Sequence, residues 1–363
     1  MIHPTQERVR ELLGTIIDPH SGQDLVAGGA VKGIGIDGGN VAVELVLGYP
    51  AKTWIDTLAQ LVRDTLQAEP SIKQVVVNVS WRIFAHKVQK DLTPLPNVKN
   101  ILAIASGKGG VGKSTTAANL ALALQAEGAR VGLLDADIYG PSIPRMMGVS
   151  GKPDSKDGQH LEPKIAHGVQ TMSIGFMIEE DTPMIWRGPM VTQALTQLLN
   201  ETNWVDLDYL IIDLPPGTGD IQLTLCQRVP VSAALIVTTP QDIALLDARK
   251  GLKMFEKVEV PVLGIVENMA THICSNCGHE EHVFGSGGGA RMSHEYSVPL
   301  LGSLPLDIRI REQADGGTPT VAADPDGKVA AAYREIARKA AAQLSQRARS
   351  KSIQFPKIVI QNT

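Results

Sequence analysis

The sequence predicts an α/β fold, a mostly parallel sheet covered by helices on both faces and preceded by a small α/β domain. Three observations carry this. From residue 101 onward, apolar runs of strand length at 101–106, 130–135, 169–174, 208–213, 234–239, 261–267 and 300–304 alternate with helix-length segments, the pattern of a parallel sheet. The run 101–106 stops at a glycine loop, and Ala117, Leu120, Ala121 and Leu124 then recur at the spacing of a helix packed on a sheet. Polar motifs follow several strands (Asp135-Ala136-Asp137, Asp213-Leu214-Pro215-Pro216-Gly217 and Glu267-Asn268), at the carboxyl ends where such sheets hold ligands.

Residues 1–90 read as the small domain. A short helix at 5–13 precedes Asp18-Pro19, and strands at 30–36 and 41–47 flank Asp37-Gly38-Gly39-Asn40, a hairpin signal. A helix at 54–66 carries Trp54, Leu58, Leu61 and Val62 on one face, and 75–79 is a third strand. Residues 91–100, with Pro94 and Pro96, read as a linker, 101–350 as the main domain and 351–363 as a short tail. Gly128 is placed to end the helix after the glycine loop, and an Ala-rich helix at 330–347 is expected to pack on the main domain.

At 363 residues the chain has room for two domains. Its 43% hydrophobic and 20% charged residues are those of a soluble protein. A formal net charge of −4 gives no broad basic field, so nucleic acid is not an expected partner. No apolar run has the length of a membrane span, and MIHPTQERVRELL lacks the basic and apolar regions of a signal peptide. Three cysteines make no disulfide framework, so a reducing cytoplasm is the expected compartment.

Gly107-Lys108-Gly109-Gly110-Val111-Gly112-Lys113-Ser114, followed by Thr115, fits G-x-x-x-x-G-K-[ST] between a strand and a helix. Glycines at 107, 109, 110 and 112 let backbone N–H groups converge on a phosphate, and the helix N-terminus adds free donors and a positive dipole end. Lys113 is expected to reach the β/γ-phosphates and Ser114 to hold Mg²⁺. Asp213 ends a hydrophobic strand, where a carboxylate holds the Mg²⁺ shell; Gly217 and Gly219 give the next loop freedom to move. Asp137 stands where a base or water-orienting group would sit, and Asp135 serves either Mg²⁺ or the loop itself.

With its second lysine at Lys108, GKGGVGKST resembles the deviant Walker A loop of the ParA/MinD/nitrogenase-iron-protein class of P-loop ATPases. The resemblance implies a nucleotide-sandwich homodimer in which Lys108 reaches the partner's phosphates. It makes Asp137 the residue acting on the attacking water and Asp213 the Mg²⁺-side carboxylate, and it puts Asn268 and Pro305 near the adenine. No NKxD-type guanine signature is present, which favours ATP over GTP.

Cys274-Ser275-Asn276-Cys277 is a C-x-x-C in a loop after strand 261–267, and two such thiolates can bind one metal centre from the same side. A redox pair of the thioredoxin kind would open a helix early in a βαβ unit. One chain supplies no second C-x-x-C. Either two chains share a cluster, or His272, His279 and His282 complete a zinc site. Cys226 reads as a small buried hydrophobe on a helix.

GIVENMATHICSNCGHEEHVFGSGG behind such a loop resembles the Mrp/ApbC family of iron–sulfur cluster carrier ATPases, and the likeness covers essentially the whole chain. It implies slow ATP hydrolysis coupled to cluster loading or transfer. It also implies a [4Fe–4S] cluster bridged by Cys274 and Cys277 of two subunits, delivered to apo iron–sulfur recipient proteins, with cluster scaffold proteins as further partners and no membrane or nucleic acid. Residues 1–90 resemble the small domain of bacterial members. Where its relatives often carry a reactive cysteine, this chain has Gly48-Tyr49-Pro50-Ala51, so the domain is expected to dock or regulate rather than ligate. Trp186-Arg187-Gly188-Pro189 resembles a family segment with no role assigned to Arg187. The rival is a MinD/ParA-like positioning switch with structural zinc at the C-x-x-C; it shares Lys108 but has no use for a cluster, and the membrane helix or basic DNA face it usually needs is not evident.

Overall fold

Residues 3–177, 188–274 and 276–347 are described by the computed structural model; Arg187 and the 351–363 tail lie outside them. The first helix, α1 (Gln6–Leu13), starts where Thr5 Oγ1 accepts the Arg8 N–H at 3.1 Å, satisfying a free first-turn donor. β1 (Val31–Asp37) and β2 (Asn40–Leu47) form the antiparallel hairpin, with Asp37 opposite Asn40. Val41, Val43, Leu45 and Leu47 of β2 are buried while Asn40, Ala42 and Glu44 are exposed, the alternation of a sheet covered on one face. α2 (Ile55–Gln67) contributes Leu58, Val62 and Leu66 to that core, and β3 (Gln74–Trp81) pairs parallel with β2.

The next segment is packed rather than free. The His86 backbone N–H donates to Asn100 Oδ1 at 3.0 Å, and the His86 side chain is buried. β4 (Val98–Ala105) begins inside the 91–100 stretch read as linker. It is followed by α3 (Lys113–Ala126), β5 (Val131–Asp135), α4 (Ile143–Met146), β6 (Lys164–Ala166), β7 (Val169–Ser173), α5 (Gly188–Glu201) and β8 (Leu207–Asp213). Then come α6 (Asp220–Arg228), β9 (Ala233–Thr238), α7 (Asp242–Lys257) and β10 (Val262–Glu267). A small hairpin, β11 (His272–Ile273) and β12 (Glu280–Glu281), precedes α8 (Gly288–Tyr296), β13 (Leu300–Ser303), α9 (Ile308–Asp315), α10 (Thr320–Ala323) and α11 (Lys328–Ser345).

The eight-stranded sheet has the order β13-β10-β9-β4-β8-β5-β7-β6, parallel except for β6, which runs antiparallel to β7 at the edge. The seven expected strands are all present. β6 was not expected, because three residues carry no readable period. Each face has its own core: Leu102 and Ile104 of β4 join α3 and α11, while Ile101, Ala103 and Ala105 join α5, α6 and α7. The first core also includes the buried side of the N-terminal unit, among it Leu45, Leu58 and Val62, so the two units share it.

Glu127, at the C-terminal cap of α3, fastens this seam. Its carboxylate is wholly buried and accepts from Thr53 Oγ1 (2.5 Å), the Thr53 N–H (3.0 Å) and Arg338 of α11 (2.7 Å). Beside it the His20 ring meets Tyr49 Oη (3.2 Å) and Glu335 (3.0 Å), with Asp18 at 3.3 Å. Gly128 takes the left-handed conformation (φ 98°) that ends α3, under the ring of Trp81.

Candidate functional site

The carboxyl ends of β4, β8 and β5 converge on the glycine loop. Gly112 precedes α3 with φ 83°, a left-handed value that glycine adopts at no steric cost. At Gly107 the structure adds a second constraint beside the phosphate access read from the sequence. A Cβ there would strike the Asp247 carbonyl of α7, so Gly107 admits a neighbouring helix. Ser106 Oγ closes the loop by donating to the Lys108 carbonyl at 2.9 Å.

Lys113 is the hub. Its side chain is 5% exposed; its ammonium donates to Asp213 Oδ1 at 2.6 Å, lies 3.6 Å from Asp137 and reaches Ser114 Oγ at 3.2 Å. Lys113, Ser114, Asp137 and Asp213 are therefore brought together. Burial raises the pKa of both Asp213 and Asp137, and Lys113 pulls each back. Asp213 Oδ2 is buried with no hydrogen-bond partner among the described residues. An orphaned carboxylate oxygen beside a hydroxyl and a glycine loop fits a hard divalent cation, so the residues present suit Mg²⁺.

Asp135 has a different task. Oδ1 accepts the Asp137 N–H (3.1 Å), and Oδ2 accepts the Ile143 N–H (3.1 Å) and the Ser173 hydroxyl (3.0 Å). It brackets the loop that carries Asp137, and burial together with the nearby Asp213 charge raises its pKa. Ser173 and the Ile143 amide are parts of the site that sequence reading missed; no local pattern marks them.

Lys108 is half-buried and makes no ion pair among the described residues. Asn268, at the end of β10, is buried; its side-chain N–H₂ donates to the Val111 carbonyl at 2.9 Å, and Pro305 lies just past β13. Gly107, Gly109, Gly110, Val111, Gly112 and Thr115 complete the loop around this centre.

The cysteines sit at the tip of the β11–β12 hairpin. The Cys274 N–H donates to His279 O and the Gly278 N–H to Cys274 O, both at 2.9 Å, with Gly278 at φ 72°. Cys274 is partly exposed and Cys277 exposed. The backbone N–H groups of Cys277 and Asn276 point at the Cys274 sulfur and hold its pKa below the usual thiol range, with help from the Cys277 thiol and His272. Such donors favour a thiolate. His272 and His282 each put Nδ1 against a backbone carbonyl, of Leu306 and of Ala270. Among the described residues, no three His, Cys, Asp or Glu side chains gather as a metal site. Cys226 lies buried on α6, its thiol pushed up to about 12 by burial.

A family model described as the NUBPL iron-transfer P-loop NTPase matches residues 97–341, and one for an iron-sulfur cluster assembly protein matches residues 6–79. The chain belongs to the NUBPL iron-transfer P-loop NTPase family. It is 51% identical to the iron-sulfur cluster carrier protein of Haemophilus influenzae over 93% of this chain and 92% of that one. It is 54% identical to the one from Escherichia coli K12 over 83% and 82%. The iron-sulfur cluster transfer protein NUBPL of Mus musculus is 49% identical over 69% and 79%. Among solved structures, a nucleotide-binding protein from Archaeoglobus fulgidus in complex with ADP aligns with a TM-score of 0.54 and 37% identity, over 61% of this chain and 87% of that one. The cell division ATPase MinD of Pyrococcus furiosus aligns at 0.50 and 25% identity, over 66% and 97%. The expected family and fold class are thus found. Among the described residues no helix is long and apolar enough to cross a membrane.

Proposed function

We propose that the protein is an ATP-binding and ATP-hydrolysing carrier that holds a [4Fe–4S] cluster between two copies of itself and passes it to apo-proteins. The observation that carries this reading is the pair of accessible cysteines, two thiols per chain on a hairpin rooted beside the phosphate loop. A four-thiolate site then calls for a second copy. The names of the relatives, carriers and transfer proteins of iron–sulfur clusters, agree with it.

In this reading the backbone N–H groups from Gly107 to Thr115 bind the phosphates, while Asn268 and Pro305 border the adenine. Mg²⁺ held by Ser114 and Asp213 would offset charge on the phosphate oxygens. Lys113 exchanges its carboxylate partners for phosphate oxygens. Asp137, freed from Lys113, orients the attacking water and accepts its proton. Lys108, which makes no ion pair among the described residues, extends to the partner's phosphates, which couples hydrolysis to dimer geometry and so to the separation of the two cysteine hairpins. The N-terminal unit, without cysteine, docks partners or regulates.

The test is delivery. Loaded protein incubated with an apo-acceptor should restore the acceptor's activity in the presence of an iron chelator that captures free iron. Restoration no faster than from free iron and sulfide would refute the carrier reading. Tightly held zinc instead of a cluster would move the function to a partner-switch ATPase.

A further inference from the structure

The phosphate loop and the cysteine hairpin are joined by two consecutive residues. Asn268 is held on both sides: its backbone N–H donates to Thr238 O at 2.8 Å and its side chain to Val111 O at 2.9 Å. Its amide crowds Gly112, where any Cβ would collide with it, and the Met269 methyl stands next in the same place. Movement of the loop at 111–112 is therefore felt directly by Asn268.

Met269, the next residue, has φ 57°, a left-handed value for a non-glycine side chain. That conformation costs energy and persists only where its surroundings enforce it. Beyond it the chain is clamped again. The Ala270 N–H donates to Leu304 O at 2.9 Å, and the Leu306 N–H donates to Thr271 O at 2.7 Å. His272 and His282 close the hairpin base on Leu306 O and Ala270 O. Met269 lies between the part fixed to the phosphate loop and the part fixed to the hairpin base, and Leu304 spans it, its N–H donating to Glu267 O at 2.8 Å. Pro305 lies between the two clamping residues, so the adenine side of the proposed nucleotide site shares this base.

We infer that Asn268 and Met269 form the joint through which the phosphate loop sets the exposure of Cys274 and Cys277. This rests on the nucleotide and cysteine sites proposed above. Asn268 acts here as a positioning residue, and Met269 as a strained hinge that can relax when the loop at Val111 shifts.

The test needs no cluster. Reduced apo-protein would be alkylated with iodoacetamide at saturating MgADP and at a saturating non-hydrolysable MgATP analogue, with Cys274 and Cys277 followed by mass spectrometry. The wild type should react at rates differing about fivefold or more between the two nucleotides, the lower range of typical allosteric coupling. In Asn268→Ala the difference should vanish even at saturation. A merely structural role would raise the nucleotide concentration required but leave the difference at saturation. Met269→Gly keeps every hydrogen bond and relieves the left-handed strain; it should lose the difference while binding nucleotide as the wild type does. If Asn268→Ala fails to fold or bind, Met269→Gly alone decides. Equal rates in the wild type, or a difference kept by the variants, would overturn the inference. Bound iron and sulfide, measured separately, distinguish its failure from failure of the carrier reading.

Discussion

The ammonium of Lys113 lies 2.6 Å from Asp213, and both side chains are buried at the mouth of the phosphate loop. One cation thus pairs with two carboxylates, those of Asp137 and Asp213. Removing it takes away the phosphate ligand and leaves Asp213 without its counter-charge. Lys113→Ala should lower ATP turnover about a hundredfold or more, the scale of losing one donor that stabilises developing charge. Phosphate release under saturating MgATP measures it, and wild-type turnover would contradict the assignment.

The three cysteines should divide cleanly. Cys226 is buried on α6 with its thiol raised to about 12, whereas Cys274 and Cys277 stand on an accessible hairpin. Brief alkylation of the native chain should label Cys274 and Cys277 and spare Cys226 until the protein is unfolded. Cys226→Ala should leave cluster loading unchanged. Peptide mapping after timed alkylation reads both, and early labelling of Cys226 would contradict the packing of α6.

Glu127 and Arg338 pair at 2.7 Å, with the carboxylate wholly buried and the guanidinium nearly so. Removing one partner of such a pair is costly because the other charge stays buried. Arg338→Ala should therefore destabilise the chain by about 3 kcal/mol, at the lower end of that range. Denaturant unfolding checks this. A loss within the small range of exposed pairs, about 0–1 kcal/mol, would show the seam to be solvated.

His20 sets a pH dependence on the same seam. Burial lowers its pKa, but the hydrogen bonds to Asp18 and Glu335 outweigh that and raise it above 6.5 against the opposing charge of Arg338, whose Nε lies 2.9 Å from His20 Nε2; Tyr49 and Trp54 flank the ring. A folded pKa above the unfolded one means a contribution that is complete below pH 6.5 and disappears as pH rises through the raised value. Across that window the wild type should lose more stability than His20→Gln. Unfolding midpoints from pH 6 to about 9 test this, and parallel curves would remove His20 from the account.

What the sequence shows of this site is what is local. Gly112, Lys113 and Ser114 do their work within one turn of the chain, and Asp213 ends an apolar strand, so spacing alone marks them. The C-x-x-C is equally compact. What stays hidden depends on partners far along the chain. Asn268 reaches Val111 across 157 positions and Arg338 reaches Glu127 across 211. The sequence marks Gly107 as a phosphate glycine but not the second reason for it, the Asp247 carbonyl of α7 against it. Asp135 reads as either a ligand or a cap, and the Ile143 and Ser173 contacts that give it a capping role lie outside the motif. β6 escapes because its pairing with β7 at the sheet edge, rather than its own three residues, makes it a strand.

The measurement that bears most directly on the central claim is anaerobic reconstitution with ferrous iron and sulfide, on wild type and on Cys274→Ala/Cys277→Ala. Visible absorption, iron and sulfide per chain, and native mass are read together. One [4Fe–4S] cluster shared by two chains predicts about two irons and two sulfides per chain in a dimer, and none in the double variant. A monomer with its cysteines filled by zinc, or a cluster that survives the double substitution, would contradict it.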